Sequence, residues 1–143
     1  MNWPHLYEHR LREWNDLRQH CHDLPLEECL LSINDWWMRA PLSTQHIAWE
    51  DWVDWPTPWD LLSDNTWCDL TRSIGIIYTL GLLFRDDLKD VYIIDSNEGI
   101  MVEVLSAKYF LGYCYSDLNG VDIQDLVIDR RINAKNLKYY KNY

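Results

Sequence analysis

Hydrophobic residues recur at intervals of three and four positions through the N-terminal part of the chain, a spacing typical of helices with one buried face. The pattern predicts a first helix over residues 4–21, with Pro4 in its first turn, where a proline needs no backbone N–H. A second helix is predicted to begin after Pro25. It should end before Pro41, because the residue that precedes a proline avoids helical geometry.

Two further helices are predicted in the middle of the chain. Thr57 has the side chain of an N-cap and precedes a short helix that begins with a proline. Asp64-Asn65 offers the next cap, and a long apolar helix is predicted over residues 66–84. Gly75 and Gly81 lie inside that helix, where glycine is unfavourable, so we expect close packing against another element as the compensation.

The pattern changes to β-branched runs in the C-terminal third. Residues 91–95 and 100–104 flank the glycine-containing turn 96–99, which predicts a hairpin. A turn of helix and a strand are expected over residues 107–115, and a strand followed by a helix over residues 123–143. The predicted fold class is therefore α+β, with a helical N-terminal two-thirds packed with a small antiparallel β-hairpin or sheet.

Length and composition fit a single domain over residues 1–143, with 48% hydrophobic and 25% charged residues. The longest apolar stretch, residues 74–84, falls short of the roughly 20 residues of a membrane helix. The first residues lack the basic and apolar regions of a signal peptide, so we expect synthesis in a cytoplasm. Without export, the four cysteines are expected to be reduced: Cys21, Cys29, Cys68 and Cys114.

The formal net charge of −10 disfavours binding to nucleic acid or to an anionic membrane, since both require basic surfaces. The charge is also uneven. Residues 40–65 contain no lysine or arginine but five carboxylates: Glu50, Asp51, Asp54, Asp60 and Asp64. The C-terminal part is basic and contains Arg130, Arg131, Lys135, Lys138 and Lys141. We expect the basic part to contact the acidic part of the same chain or of a neighbouring copy.

Cys68 is the one candidate nucleophile. It falls in the first turn of the predicted long helix, where backbone N–H groups favour a thiolate, and a hairpin follows, loosely as in papain-like and transglutaminase-like cores. Those cores take their base from a histidine after the cysteine helix, whereas all five histidines here precede Cys68. A thiol hydrolase is thus one alternative, and a small core residue is the simpler interpretation.

Histidines and cysteines near the first two helices have the residue types of a zinc site. His5 and His9 share a helix face, and four more candidates surround the first interhelical turn: His20, Cys21, His22 and Cys29. Their spacing matches no standard zinc pattern, and His20 and His22 would point to different sides of a helix. We therefore expect no metal and no cofactor.

All nine tryptophans lie between Trp3 and Trp67. A core accounts for most of them, but the adjacent pair Trp36-Trp37 and the run from Trp49 to Trp59 exceed what a small core is expected to hold. Surplus tryptophan is typical of protein interfaces. The predicted interface residues are Trp36, Trp37, Trp49, Trp52, Trp55, Trp59, Arg130, Arg131, Lys135 and Lys138.

Three segments resemble small proteins of contractile-tailed phages that infect cyanobacteria: Asp35-Trp36-Trp37…Ala40-Pro41, Trp55-Pro56-Thr57-Pro58-Trp59-Asp60-Leu61-Leu62 and Asp64-Asn65…Cys68-Asp69-Leu70…Gly75…Tyr78-Thr79. The resemblance covers about the first 85 residues. Those proteins have no assigned activity, so the resemblance implies a context and no site: a phage protein made in the cytoplasm of a bacterial host.

In that context we expect a non-catalytic virion structural or assembly protein of the neck, tail or baseplate, located in the virion. Its partners would be other phage structural proteins, with homo-oligomers possible, and neither nucleic acid nor membrane. Besides the cysteine hydrolase, the second alternative is a soluble acidic regulator that binds a host protein through its carboxylates.

Overall fold

The computed structural model describes residues 3–43, 47–106, 108–112 and 126–140. Within these ranges the predicted α+β fold is confirmed: helices form the N-terminal part and a four-stranded antiparallel sheet forms the C-terminal part. The helices are α1 (Tyr7–His22), α2 (Leu26–Trp37), a 3₁₀ segment (Trp49–Asp54), α3 (Pro58–Asp64) and α4 (Asp69–Gly81). The strands are β1 (Tyr92–Ser96), β2 (Gly99–Val104), β3 (Tyr109–Leu111) and β4 (Ile128–Asn133).

Helix α1 begins later than the sequence predicts. Pro4 is not in its first turn, because Leu6 has an extended backbone and is the N-cap residue. The carbonyls of Pro4 and His5 instead accept hydrogen bonds from the Arg10 guanidinium, at 3.1 and 2.8 Å. The same side chain donates to the carbonyl of Leu62 at the end of α3, at 2.7 Å. Arg10 therefore fixes the N-terminal residues against α3.

Helix α4 is shorter at both ends than the predicted helix. Cys68 is its N-cap, and the backbone N–H of Cys68 donates to the Thr71 hydroxyl at 2.7 Å. Asn65, expected to cap this helix, instead ends α3 with a left-handed backbone, which asparagine tolerates well. Phe84 also has a left-handed backbone, at φ 53°, so the right-handed helix cannot extend that far.

The sheet has the strand order β3-β2-β1-β4, and each neighbouring pair is antiparallel. The predicted hairpin is confirmed by the register of β1 and β2, in which Ser96 pairs with Gly99. Within the described residues, which end at Tyr140, the C-terminal segment forms β4 and then a short 3₁₀ helix, Ala134–Asn136, where a helix was expected. Of the turn of helix and strand expected over residues 107–115, the strand is β3, and residues 107 and 113–115 lie outside the described residues.

Helix α4 is the centre of the fold, as its apolar sequence indicates. All of its residues from Leu70 to Gly81 are buried. It packs on β1 and β2, and the Ser73 hydroxyl donates to the carbonyl of Ile100 at 3.2 Å. Ile93 and Val102 belong to the main hydrophobic cluster with the helices, whereas Ile94 and Met101 belong to a second cluster.

Candidate functional site

The six tryptophans predicted to form an interface divide into a buried group and an exposed group. Four have only 1% to 6% of their area exposed: Trp36, Trp37, Trp49 and Trp55. The expectation that these four exceed the capacity of the core is therefore wrong. Trp52 and Trp59 lie at the surface, with 36% and 38% of their area exposed, and their interface role stays a prediction.

The core accommodates so much indole because four rings pack tightly against one another. The ring centroid of Trp36 is 4.5 Å from that of Trp3 and 4.9 Å from that of Trp37, and the Trp37 ring is 5.3 Å from Trp67. These contacts are tilted or edge-on, the geometries that aromatic pairs prefer. Asn65 accepts hydrogen bonds from the indoles of both Trp3 and Trp67, at 2.7 and 2.8 Å.

A single hydroxyl on α4 satisfies two further buried indoles. Thr79 Oγ1 accepts hydrogen bonds from the indole N–H of Trp14 at 2.8 Å and of Trp37 at 2.9 Å. The hydroxyl donates its own proton to the carbonyl of Gly75, at 2.7 Å. Shared acceptors of this kind let large aromatic residues be buried without leaving an N–H unpaired.

The 3₁₀ segment is held to the body of the protein by the residues at its two ends. The rings of Trp49 and Trp55 meet edge-to-face with centroids 5.8 Å apart, and the Trp55 indole donates to the carbonyl of Ala48 at 3.0 Å. A regular 3₁₀ helix has three residues per turn and would place Trp52 on the same face as Trp49. The non-helical backbone of Asp51 interrupts that repeat, and Trp52 is exposed.

Residues 51–54 form a surface in which two apolar side chains, Trp52 and Val53, lie between two aspartates in the sequence; it is called the Trp52 surface below. Val53 is 67% exposed, next to the exposed ring of Trp52. In the part of the chain that the structure describes, the carboxylates of Asp51 and Asp54 have no hydrogen bond or ion pair. Both line a shallow depression of about 470 Å³ beside Trp55. Val53 and both aspartates were not predicted as site residues from the sequence, although residues 40–65 contain no lysine or arginine.

The acidic and basic parts of the chain meet at Arg130. The charge pattern predicted contact either within the chain or with a neighbouring copy, and this contact lies within the chain. Arg130 forms ion pairs of 2.6 Å with both Glu50 and Asp95, and its guanidinium lies 5.0 Å from the centroid of the Trp49 ring. The pairs with Asp95 and then Glu50 raise the pKa of Arg130. The pKa of Glu50 is lowered by its own backbone N–H and by Arg130. The contact joins the 3₁₀ segment to the sheet.

Arg131 is also bound within the chain. It pairs with Glu103 at 2.6 Å and lies over the ring of Tyr92, 4.4 Å from its centroid. Glu103 is buried, so this pair neutralises a carboxylate inside the fold. Arg130 and Arg131 thus lie in β4 and form intrachain contacts, and their predicted interface role stays a prediction. Lys135 and Lys138 are exposed, and their interface role stays a prediction.

Cys68 has the surroundings of a structural residue. Cys68 is only 4% exposed, and its Sγ accepts a hydrogen bond from the Thr71 hydroxyl at 3.5 Å. Among the described residues, no histidine is hydrogen-bonded to Cys68. Because a thiol nucleophile needs access and a nearby base, we retain the hydrolase only as a prediction to be tested by thiol reactivity.

Two of the candidate metal ligands near the turn between α1 and α2, Cys21 and His22, have partners within the chain. The Cys21 thiol donates to the carbonyl of Cys29 at 3.8 Å, and a ring nitrogen of His22 is 2.8 Å from the carbonyl oxygen of Leu83. The proximity of Cys29 lowers the pKa of Cys21, whereas the proximity of Cys21 and then burial raise the pKa of Cys29. Over the described ranges, no group of three or more potential ligands could hold a metal ion.

Comparisons with known proteins found no match to this chain. No family model, no curated protein and no solved structure matches the chain. The described helices include none with the length and hydrophobicity that crossing a membrane requires. The candidate site is therefore defined by its own geometry: a rigidly attached 3₁₀ segment with the exposed Trp52 surface.

Proposed function

We propose that this protein is a non-catalytic component that acts through protein–protein contacts, with the Trp52 surface as its main contact site. The observation that carries the proposal is the exposure of Trp52 and Val53, which lie in the sequence between two carboxylates that have no ion pair among the described residues. Tryptophan is the residue type most enriched in the energetically dominant part of protein interfaces. A segment anchored by buried side chains on both sides also loses little conformational entropy when it binds.

The segment is well prepared for this role. Trp49 and Trp55 are each 6% exposed, so both ends of the segment are packed against the protein without any partner. The ion pair between Glu50 and Arg130, a residue of β4, also links the segment to the sheet. Asp51 and Asp54 provide a polar rim around the apolar pair, and an apolar centre with a polar rim is the usual composition of an interface.

We further propose that the contacts belong to a virion or to an assembly intermediate of a contractile-tailed phage. This part of the proposal is supported by the sequence resemblance of the tryptophan- and proline-containing segments between Asp35 and Thr79. The protein would then be a minor structural or assembly component of the neck, tail or baseplate. Other phage structural proteins would be its partners.

Quantitative mass spectrometry of purified virions and of assembly intermediates from infected cells tests this function. We expect the protein at a constant ratio to the major structural proteins in one of these particles. Its absence from both, while it is present in the infected-cell extract, would contradict a structural or assembly role. If the protein were a contaminant, its ratio to the major structural proteins would vary between preparations. That result would also contradict the proposal.

A further inference from the structure

The Trp52 surface adjoins a site where the chain already binds one of its own arginines. The groove that holds Arg130 and the depression beside Trp55 share Ile47 and Ala48 in their walls. In the first, a guanidinium lies over a tryptophan ring and is paired with carboxylates. The second is lined by Asp51, Asp54 and the largely buried Trp55, with the exposed Trp52 next to Asp51 in the sequence, and no lysine or arginine of the described residues lines it.

The sequence of the 3₁₀ segment explains why the two sites are similar. Trp49-Glu50-Asp51 is followed directly by Trp52-Val53-Asp54, so a tryptophan and a following aspartate recur at an interval of three. Within the first triplet, Trp49 and Glu50 contact Arg130, whereas Asp51 lines the depression with Asp54. The second triplet faces outward, because the backbone turns at Asp51.

We propose that the Trp52 surface binds an arginine-bearing segment of a protein partner, with the guanidinium between Asp51 and Asp54. The apolar side chains of Trp52 and Val53 would contact the neighbouring residues of that segment. This inference rests on the proposed function and names the chemistry of the partner. It commits to a cationic partner, because a carboxylate pair beside an exposed tryptophan complements a positive charge and would repel an acidic protein.

Arginine fits this site better than lysine for two reasons. A planar guanidinium can pair with two carboxylates at once and can stack on an aromatic ring, as Arg130 does here, whereas an ammonium is a strongly hydrated point charge. A second copy of this chain is a poorer partner, because each copy has a net charge of −10 and the two would repel each other.

Peptide binding to the full-length protein tests the inference. The probes are an oligoarginine peptide and an oligolysine peptide of equal length, near physiological ionic strength. Affinity is measured by calorimetry, and the binding site is located from the indole N–H signals of the ¹⁵N-labelled protein. We expect the arginine peptide to bind about threefold to tenfold more tightly than the lysine peptide. The Trp52 and Trp55 signals should shift, and the Trp14 signal should not.

A matched pair of variants separates this site from general attraction to an acidic protein. Asp51→Asn combined with Asp54→Asn should weaken arginine-peptide binding about threefold to tenfold. Glu27→Gln combined with Glu28→Gln removes the same charge from exposed positions of α2 and should change it by less than about twofold. Equal effects of the two double variants, or equal affinity for the two peptides, would overturn the inference.

The outcomes also separate this inference from the proposed function. If the protein is present in virions but the peptides do not discriminate, the function stands and the arginine site is wrong. If the arginine peptide binds at Trp52 but the protein is absent from virions and assembly intermediates, the site stands and the proposed function is wrong.

Discussion

The backbone of Gly75 lies directly against the indole ring of Trp37. A Cβ atom added to Gly75 would lie 2.4 Å from Cη2 of Trp37, closer than two non-bonded carbon atoms can approach. The glycine therefore leaves the space that the ring fills, and Thr79, one turn later in α4, accepts the N–H of the same ring. This contact explains both a glycine in the middle of the central helix and the burial of a tryptophan that the sequence suggested was surplus.

Substitution of Gly75 by alanine should destabilise the protein. Alanine is favoured over glycine in a helix by about 1 kcal/mol, but overpacking against a rigid ring costs about 1–3 kcal/mol or more, and the steric term should dominate. Urea unfolding measures the difference. The loss of unfolding free energy caused by Gly75→Ala should be smaller in a Trp37→Phe background, because the phenylalanine ring is smaller. Stabilisation by Gly75→Ala in the wild-type background would contradict this packing.

Arg10→Met should lower the free energy of unfolding by about 2–3 kcal/mol, because several carbonyls that now accept hydrogen bonds from a buried charge would lose their partner. The methionine keeps most of the apolar stem. Arg12→Met is the matched control at an exposed position of the same helix and should change stability by less than about 0.5 kcal/mol. Similar losses in the two variants would show that Arg10 does not hold α1 against α3.

Tyr140 should make stability depend on pH in the alkaline range. Burial raises the pKa of Tyr140 to about 12, from an ordinary value near 10. Its contribution is therefore complete below about pH 10 and is lost as the pH rises towards about 12, a loss on the order of 2 kcal/mol. Unfolding of the wild type and of Tyr140→Phe, compared from about pH 9 to about pH 12, should show a shallower decline for the variant. Parallel curves would contradict this contribution of Tyr140.

Iodoacetamide should alkylate Cys68 slowly in the native protein and rapidly in urea, because the residue is only 4% exposed and its sulfur accepts a hydrogen bond from Thr71. Mass spectrometry of the peptide that contains Cys68 measures both rates. The cysteine hydrolase alternative makes the opposite prediction: Cys68 would react in the native state faster than Cys21 and Cys29. That result would reopen the catalytic interpretation.

Local patterns were sufficient to predict the elements whose signals lie within a few residues. Thr57 accepts the backbone N–H of Asp60, as expected of a cap, and the hairpin closes at Gly99. Helix ends set by distant contacts were not predictable in this way. Arg10, which binds the carbonyls that precede α1, also binds the carbonyl of Leu62 in α3, far away in the sequence.

The candidate site was predicted only in part, because burial depends on partners that are far away in the sequence. The adjacent indoles of Trp36 and Trp37 both enter the core, since Glu13 accepts the N–H of one and Gly75 leaves space for the other. The acidic charge of residues 40–65 was evident from composition. The sequence did not show that Arg130 neutralises Glu50, whereas Asp51 has no intrachain ion pair within the described ranges.

Incorporation of surface variants into phage particles tests the central claim most directly. Trp52→Ala combined with Val53→Ser changes the Trp52 surface, and Phe84→Ala combined with Val127→Ser changes two other exposed apolar side chains, 53% and 60% exposed. Both proteins should fold with similar thermal stability, because all four side chains lie at the surface. Quantitative mass spectrometry of purified particles should show strongly reduced incorporation of the first variant and wild-type incorporation of the second. Equal incorporation of the two variants would contradict the role of the Trp52 surface.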